Sequence, residues 1–400
     1  MIASPLLRTA DGRLFLTAQL MDSLAAGISL VALPWLVLDA GGTQSQAGAA
    51  FLAGTLPYVA LGLHAGHTGD HRPRRRVMVT GTGVQTAAAV VIPLALAGGV
   101  AVEDMPISLI YAAALVVTAG RVFVDAAAFG AIAKLVGGGH FVQGQSALSF
   151  VWSLGFLVGP AVGGALIGLV GISGALWVQA VGFAVAVGLM ASMRVDLGPD
   201  PHPDDDGGEG VLAGLRLVIR DPVLRSLTAV GMAWNLTTNV IYSLIVVFAR
   251  HDLSADAGET GLMLSIAGAA GLAGGLLAPV ARQRLGPTRA LRSSIALSGV
   301  GALGTALAPE IVSATIAYAV LEFSALLFIT LLISERQTRA APSEQGRVGI
   351  TGRMAALTAA SIGALIGAVL VAVISLPAIL LLAALCTILV AGVGQRKISV

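Results

Sequence analysis

The chain has 400 residues, of which 56% are hydrophobic and only 11% charged, with a mean hydropathy of +0.90. A soluble domain carries about 25% charged residues, so this composition excludes a water-solvated globular protein and describes a chain solvated by lipid. The net charge of +2 and pI near 9.0 do not require an anionic partner, and the lone cysteine, Cys386, excludes an intrachain disulfide.

Apolar runs of about 20 residues recur along the chain, each long enough at about 1.5 Å per residue to cross a hydrocarbon core of about 30 Å. They predict spans over 14–38, 46–66, 77–99, 106–134, 142–168 and 174–193, then over 223–249, 259–281, 290–308, 310–333, 349–374 and 376–394. The first run is too long for the apolar core of a cleavable signal peptide. Between the two sets lies the one strongly polar stretch, with Asp200, Pro201, His202, Pro203, Asp204, Asp205 and Asp206 in succession, which reads as an exposed linker. At its end, Val211, Leu212, Leu215, Val218 and Ile219 recur at helical spacing with Arg216 and Arg220 on another face. That pattern predicts a short helix lying on the membrane surface. The expected fold is an all-α integral membrane protein of twelve transmembrane helices: an N-terminal six-helix bundle over 1–193, a linker over 194–222 and a C-terminal six-helix bundle over 223–400.

The charges orient these spans. With both termini in the cytoplasm, 21 of the 23 basic residues fall in cytoplasmic segments, while the opposite side holds Arg250 among Asp39, Glu103, Asp104, Asp252, Asp256, Glu259 and Glu310. Such asymmetry follows the positive-inside rule and requires an even number of spans. Two six-span halves around a central linker are an architecture of secondary transporters, with the substrate path between the halves. Residues 274–289 hold the place in the second half that 62–76 hold in the first: each ends a span with glycines and then presents arginines.

A charge at the bilayer centre costs at least about 2.5–3.5 kcal/mol, so intramembrane ionisable residues are rare and usually functional. Asp22 lies about 12 Å into the first span, and Glu322 lies about 18 Å from Glu310 and about 20 Å from Glu335 along the tenth. Arg121 and Asp125 sit one turn apart in the fourth span, where they either serve the passage of a solute or neutralise each other. Glu322 is either a proton site or cation contact, or a hydrogen-bonded structural acid. Asn235 and Asn239, with Trp234 and Tyr242, offer polar and stacking contacts in the seventh span, although helix–helix hydrogen bonding accounts for the asparagines equally well. His64, His67 and His71 are spaced so that imidazoles could approach one another, but they lack a clear fourth ligand, and a polar collar at a span end is the preferred reading. No metal or other cofactor is expected. No lysine follows a glycine, so a phosphate loop of the ATPase kind is absent, as is an HExxH helix. Short juxtamembrane basic loops do not suggest nucleic-acid binding.

Two segments carry a family likeness. Gly66-His67-Thr68-Gly69-Asp70-His71-Arg72-Pro73-Arg74-Arg75-Arg76 resembles the loop signature of the major facilitator superfamily between spans 2 and 3, with His71 and Pro73 as departures. Gly155-Phe156-Leu157-Val158-Gly159-Pro160-Ala161-Val162-Gly163-Gly164 resembles the GxxxGPxxGG signature found mainly in its proton-coupled exporters. Together with residues 32–38 the chain looks most like the drug:proton antiporter branch that includes macrolide-efflux and siderophore-export proteins. The resemblance implies that Gly66, Asp70 and the basic residues Arg72, Arg74, Arg75 and Arg76 hold a cytoplasmic gate. It implies that the Gly155, Gly159, Pro160, Gly163 and Gly164 segment acts as a hinge or seal. Glycines every four residues also make a face for close helix packing, and Pro160 removes a backbone donor. Arg121 resembles the span-4 arginine of the family's RxxxG motif, with Asp125 in place of the glycine.

The expected function is therefore a proton-coupled exporter of small amphipathic, cationic compounds working by alternating access in a bacterial inner membrane, as a monomer whose partners are substrate, protons and lipid. Asp22 or Asp125 would carry the coupling proton beside Arg121, with Glu322 as a second site; Asp22, Trp234, Asn235, Asn239, Tyr242 and Glu322 would contact substrate. A lipid or siderophore exporter and a solute importer are alternatives within the superfamily. A non-transporting membrane enzyme or assembly factor is the alternative from another class, disfavoured because no catalytic pair lies near a membrane face.

Overall fold

The structure is a computed structural model that describes residues 5–136, 140–195, 197–198, 209–341 and 344–397. Among these residues it is all-helical. A short 3-10 turn, Pro5–Arg8, precedes α1 (Ala10–Asp39), α2 (Gln44–His71), α3 (Arg74–Ala89), α4 (Val91–Ala97), α5 (Ile107–Val136) and α6 (Phe141–Ala191). After the linker come α7 (Glu209–Arg220), α8 (Pro222–His251), α9 (Ala257–Leu285), α10 (Pro287–Ala306), α11 (Ile311–Arg339), α12 (Gln345–Leu370) and α13 (Leu376–Lys397).

Among the described residues, nine helices are long and apolar enough to cross a membrane. One of them, α6, is two spans in succession: the helix is interrupted at Gly171, whose φ of 74° and ψ of 175° break the turn and suit a residue without a Cβ. Two more spans complete the twelve. The 20-residue α10 falls short on hydropathy because it opens with Arg289 and Arg292 and is rich in Ser and Gly, and α13 contributes a shorter apolar helix, Leu376–Gly392. The expected third span appears as α3 and α4 in line, with Val90 between them.

The chain divides into two compact units, one comprising residues 1–42 and 53–205 and the other 43–52 and 206–400. The opening turns of α2 thus group with the second unit, where the Ser45 hydroxyl donates to the Ala368 carbonyl at 2.5 Å and Gly48 lies against Leu244. Within the linker, residue 196 and residues 199–208 lie outside the described residues.

In the first unit, Phe15, Met78, Ile132, Leu148 and Met190 form a core drawn from α1, α3, α5 and α6. In the second, Trp234, Leu291, Ile295, Phe328 and Leu331 do the same for α8, α10 and α11. A helix covers the expected 211–220 as α7. Its Val218 is buried with Leu224, Ala340 and Val348, while Leu215 and Ile219 are exposed.

Helix α8 has a strong start. Asp221 accepts hydrogen bonds from the backbone N–H groups of Val223 (2.7 Å) and Leu224 (3.0 Å), Pro222 follows at the first helical position, and Arg339 lies 3.6 Å from the same carboxylate. These backbone donors, aided by Arg339, hold the Asp221 carboxyl below its usual range. A carboxyl depressed in the folded state stabilises it above the unfolded pKa of about 3.9 and loses that contribution as pH falls further. Asp221→Ala is therefore expected to cost about 1 kcal/mol at neutral pH in detergent thermal unfolding. The difference from the wild type should shrink below about pH 4.

Candidate functional site

In the first unit, four helices bring polar side chains to one point within the apolar core. Asp22 on α1 is fully buried, and its Oδ2 lies 3.3 Å from Nη1 of Arg121 on α5. Arg121 Nε is 3.9 Å from Oδ2 of Asp125, one turn along α5, and its Nη2 is 3.4 Å from the Ser23 hydroxyl. Asp125 Oδ2 in turn accepts a hydrogen bond of 2.6 Å from the Tyr58 hydroxyl on α2. The guanidinium lies over the ring of Phe156 on α6, 5.5 Å from its centroid, a cation–π placement. Gln85 on α3 stands beside Asp22. A single turn toward the N-terminus of α1, Gln19 accepts a 2.9 Å hydrogen bond from the Trp152 indole.

The local sequence explains the convergence. On α6, Gly155, Gly159 and Gly163 face Ser23, Gly27 and Ile28 of α1 so closely that an added Cβ would lie 2.3 Å from Ser23 Cβ, 2.6 Å from Gly27 Cα and 3.0 Å from Ile28 Cα. Pro160 and Gly164 are buried within the same stretch. The seam seats α1 against α6 and turns Asp22 toward α5. A second close crossing, Gly81 against Gly120, brings α3 to α5 and delivers Gln85. The motif glycines thus fix the backbone beneath the ionisable cluster.

Two carboxylates here share one guanidinium, so the fully ionised cluster carries a net charge of −1 in a medium that penalises it. Asp22 Oδ1 and Oδ2, both polar atoms of the Gln85 amide and Arg121 Nη1 have no aligned hydrogen bond. Incompletely satisfied buried networks are energetically costly, and one added proton removes the net charge.

Glu322 belongs to the second unit and has other partners. Tyr242 on α8 and Tyr318 on α11 stand beside it, with the two rings 6.3 Å apart and nearly perpendicular. Asp22, Arg121 and Asp125 come together in the first unit, and Glu322 stands in the second beside Tyr242 and Tyr318. Trp234 is 1% exposed and packed on Phe328 with ring centroids 5.0 Å apart. It belongs to the apolar core of the second unit. The amides of Asn235 and Asn239 donate to the carbonyls of Gly231 and Asn235, one turn back on their own helix.

At the loop motif, Arg74 is buried with its guanidinium against Gly130 of α5, and its backbone N–H donates to the Leu197 carbonyl at 2.8 Å. Arg75 donates to the carbonyls of Met190 and Ala191 at the end of α6, a favourable place for a cation. Arg72 and Arg76 are exposed, and Gly66 has open space where a Cβ would sit. Asp70 lies in α2, but its side chain falls outside the described residues. His67 and His71 stack at 4.0 Å, and among the described residues no group of three or more His, Cys, Asp or Glu comes together as a metal site.

Sequence reasoning missed Tyr58, Ser23, Gln85 and Tyr318. One signal was available: the chain has four tyrosines, of which Tyr58 bonds an intramembrane carboxylate and Tyr242 and Tyr318 stand beside another. It also missed Gly363 and Gly367 on α12, which lie on Leu236 and Val240 of α8, repeating in the second unit the seam between α1 and α6.

Comparison with known proteins places these features. The chain is 33% identical over 235 residues to proteins named multidrug efflux pump Tap in Mycobacterium tuberculosis, and 31% identical over 230 residues to one of that name in Mycolicibacterium fortuitum. The first match covers 57% of this chain and 55% of the relative, the second 55% and 54%, so the chain spans about half the length of the curated relatives it matches. The solved structure of the nucleoside transporter NupG superposes with a TM-score of 0.79 at 10% identity, covering 98% of this chain and all of the other, a likeness of fold alone. A sequence model of the Major Facilitator Superfamily matches residues 15–349. This multi-pass membrane protein, with its two helical units and its charged cluster beside a glycine seam, belongs to the Major Facilitator Superfamily.

Proposed function

We propose that the chain is a proton-coupled exporter of small amphipathic molecules that works by alternating access, with Asp22, Arg121 and Asp125 as its coupling site. The observation that carries this reading is the sharing of Arg121 by two acids on different helices, at 3.3 Å and 3.9 Å. One proton changes the net charge of that cluster, and a change of charge in a low-dielectric interior is worth enough to shift a conformational population. The α1–α6 glycine seam lets that shift be felt by two helices at once. The relatives named as multidrug efflux pumps favour export over import. The asymmetric arginines favour a cytoplasmic location for both termini, with Arg72, Arg74, Arg75 and Arg76 on that side, in a bacterial inner membrane. Its partners in this reading are substrate, protons and lipid, with the chain acting as a monomer and without a cofactor.

The test uses purified protein in proteoliposomes with a pH-sensitive dye inside. The wild type should exchange protons when substrate is added and should concentrate substrate on the strength of a pH gradient. Asp22→Asn should lose both activities while retaining exchange of labelled for unlabelled substrate, because the remaining Arg121–Asp125 pair is neutral without a proton. Gradient-driven transport that survives in both Asp22→Asn and Asp125→Asn removes the coupling assignment.

A further inference from the structure

We propose that the cleft between the start of α3 and the end of α6 binds the phosphate of an anionic phospholipid through Arg75, Arg76 and Arg194. Such a site requires only that the chain spans a membrane, and it does not depend on proton coupling.

Helix α3 begins against the usual electrostatics. A helix N-terminus carries about half a unit of positive charge, so acids are favoured in its first turn and bases are not. Here Arg74, Arg75 and Arg76 open the helix in succession with no acid in that turn, and Pro73 at the N-cap offers no side-chain acceptor. Arg74 is buried against Gly130, and Arg75 donates to the carbonyls of Met190 and Ala191. Those carbonyls orient Arg75 without neutralising it. Arg76 is exposed and has no ion pair among the described residues. Just past the end of α6, Arg194 adds another exposed guanidinium, also without an ion pair among the described residues. The nearby Asp11 carboxylate accepts from the backbone N–H of Arg194 at 2.7 Å.

Arg75, Arg76 and Arg194 line one open cavity of about 470 Å³, and among the described residues no acid lines it. Guanidinium groups match phosphate oxygens in pairs, and the first-turn N–H groups of a helix point at an anion placed before it. The same cavity has an apolar wall made by Val79, Val195 and Leu197. A free phosphate has no use for that wall, whereas the glycerol and upper acyl chains of a lipid do. The position agrees, because the spans Arg74–Ala97 and Gln143–Ala191 both end at this cavity, the depth at which headgroups lie and basic pockets capture them. The second unit provides an internal comparison. Residues 274–289 hold the matching place there, and the smaller cavity at the start of α10, lined by Pro287 and Thr288, has Glu335 in its wall. That carboxylate pairs with Arg282 at 2.5 Å. The second unit supplies its own anion at this place, and the first takes one from the membrane.

The experiment measures binding of short-chain phosphatidylglycerol and of phosphatidylcholine with the same acyl chains to the purified full chain in neutral detergent. Both lipids carry a phosphate, but the choline brings its own cation. The wild type is expected to prefer phosphatidylglycerol by at least about tenfold. Arg76→Gln combined with Arg194→Gln should reduce that preference to within about twofold, with thermal unfolding in lipid-free detergent unchanged because both side chains are exposed. Arg72→Gln removes an exposed arginine that does not line the cavity and should keep the preference. Glycerol phosphate, which has the headgroup chemistry without acyl chains, should bind at least about tenfold more weakly than phosphatidylglycerol. Equal binding of the two lipids by the wild type overturns the proposal, as does a preference that survives in the double variant. An equal loss in Arg72→Gln would reduce the effect to diffuse positive charge and also overturn it. Glycerol phosphate binding as tightly as the lipid would identify a soluble anion as the ligand and remove the membrane from the assignment.

Discussion

Arg121→Leu is expected to abolish transport and to destabilise the folded protein by about 3–5 kcal/mol, the usual result of removing one partner from a buried ionic group. The substitution keeps much of the side-chain volume, so the loss is electrostatic. It strands Asp22, which is fully buried, and Asp125, whose remaining partner is the Tyr58 hydroxyl. Two carboxylates facing each other without a guanidinium repel, and the pair must either take up protons or force the helices apart. A second substitution separates these effects. Adding Asp22→Asn to Arg121→Leu removes one of the stranded charges and should restore much of the lost thermal stability in detergent, since neutralising a buried charge removes its penalty. It should not restore gradient-driven transport, because the site no longer alternates between a neutral and a charged state around a fixed cation. Recovery of transport in the double variant would show that Arg121 and Asp22 serve the fold alone.

How much of this was legible in the sequence depends on the range of the interaction. Spans are local, and the apolar runs place nearly every helix; the differences occur where backbone geometry decides. The break expected between 168 and 174 is made by the positive φ of Gly171, whereas at Val90 a span is divided in line, which hydropathy does not register. Ionic partners are not local. The spacing of Arg121 and Asp125 suggests a one-turn pair, yet the shorter contact of Arg121 is to Asp22, on a helix about a hundred residues earlier. Helix rotation determines such pairings, and a helix that is apolar all round carries little sign of its rotation. The same holds for Trp234, whose size suggests stacking but whose helix turns it into the core against Phe328. Asn235 and Asn239 donate within α8, the competing use of short polar side chains.

The glycine seam shows how a short motif acts at a distance from its own residues, and it leads to the second large expectation. Gly159→Ala should lower stability by about 1–3 kcal/mol, as overpacking does, and reduce transport steeply; Gly159→Leu should prevent accumulation of folded protein. A Cβ at Gly159 would stand 2.6 Å from Gly27 Cα and 3.0 Å from the Leu24 carbonyl. These are backbone atoms, which cannot rotate aside as a flexible side chain would, so α1 must move away from α6. Asp22 and Ser23 lie on that stretch of α1, and separation of the helices draws the Asp22 carboxylate away from Arg121, weakening the 3.3 Å contact along with the packing. The damage should therefore exceed that of an equal loss of stability elsewhere. Gly188→Ala on the same helix provides the control, since its Cβ would meet nothing within 4 Å. The corresponding substitution in the second unit, Gly363→Ala, would bring a Cβ to 2.2 Å from the Leu236 carbonyl and should destabilise the protein comparably. Its effect on coupling should be smaller, because the α8–α12 seam carries no carboxylate–arginine contact among the described residues. Thermal unfolding and gradient-driven uptake, measured side by side on the Gly159, Gly188 and Gly363 variants, separate seam packing from the ionic site that it holds in place. If Gly159→Ala loses transport only in proportion to its stability, as Gly363→Ala does, then the seam is packing and has no part in coupling.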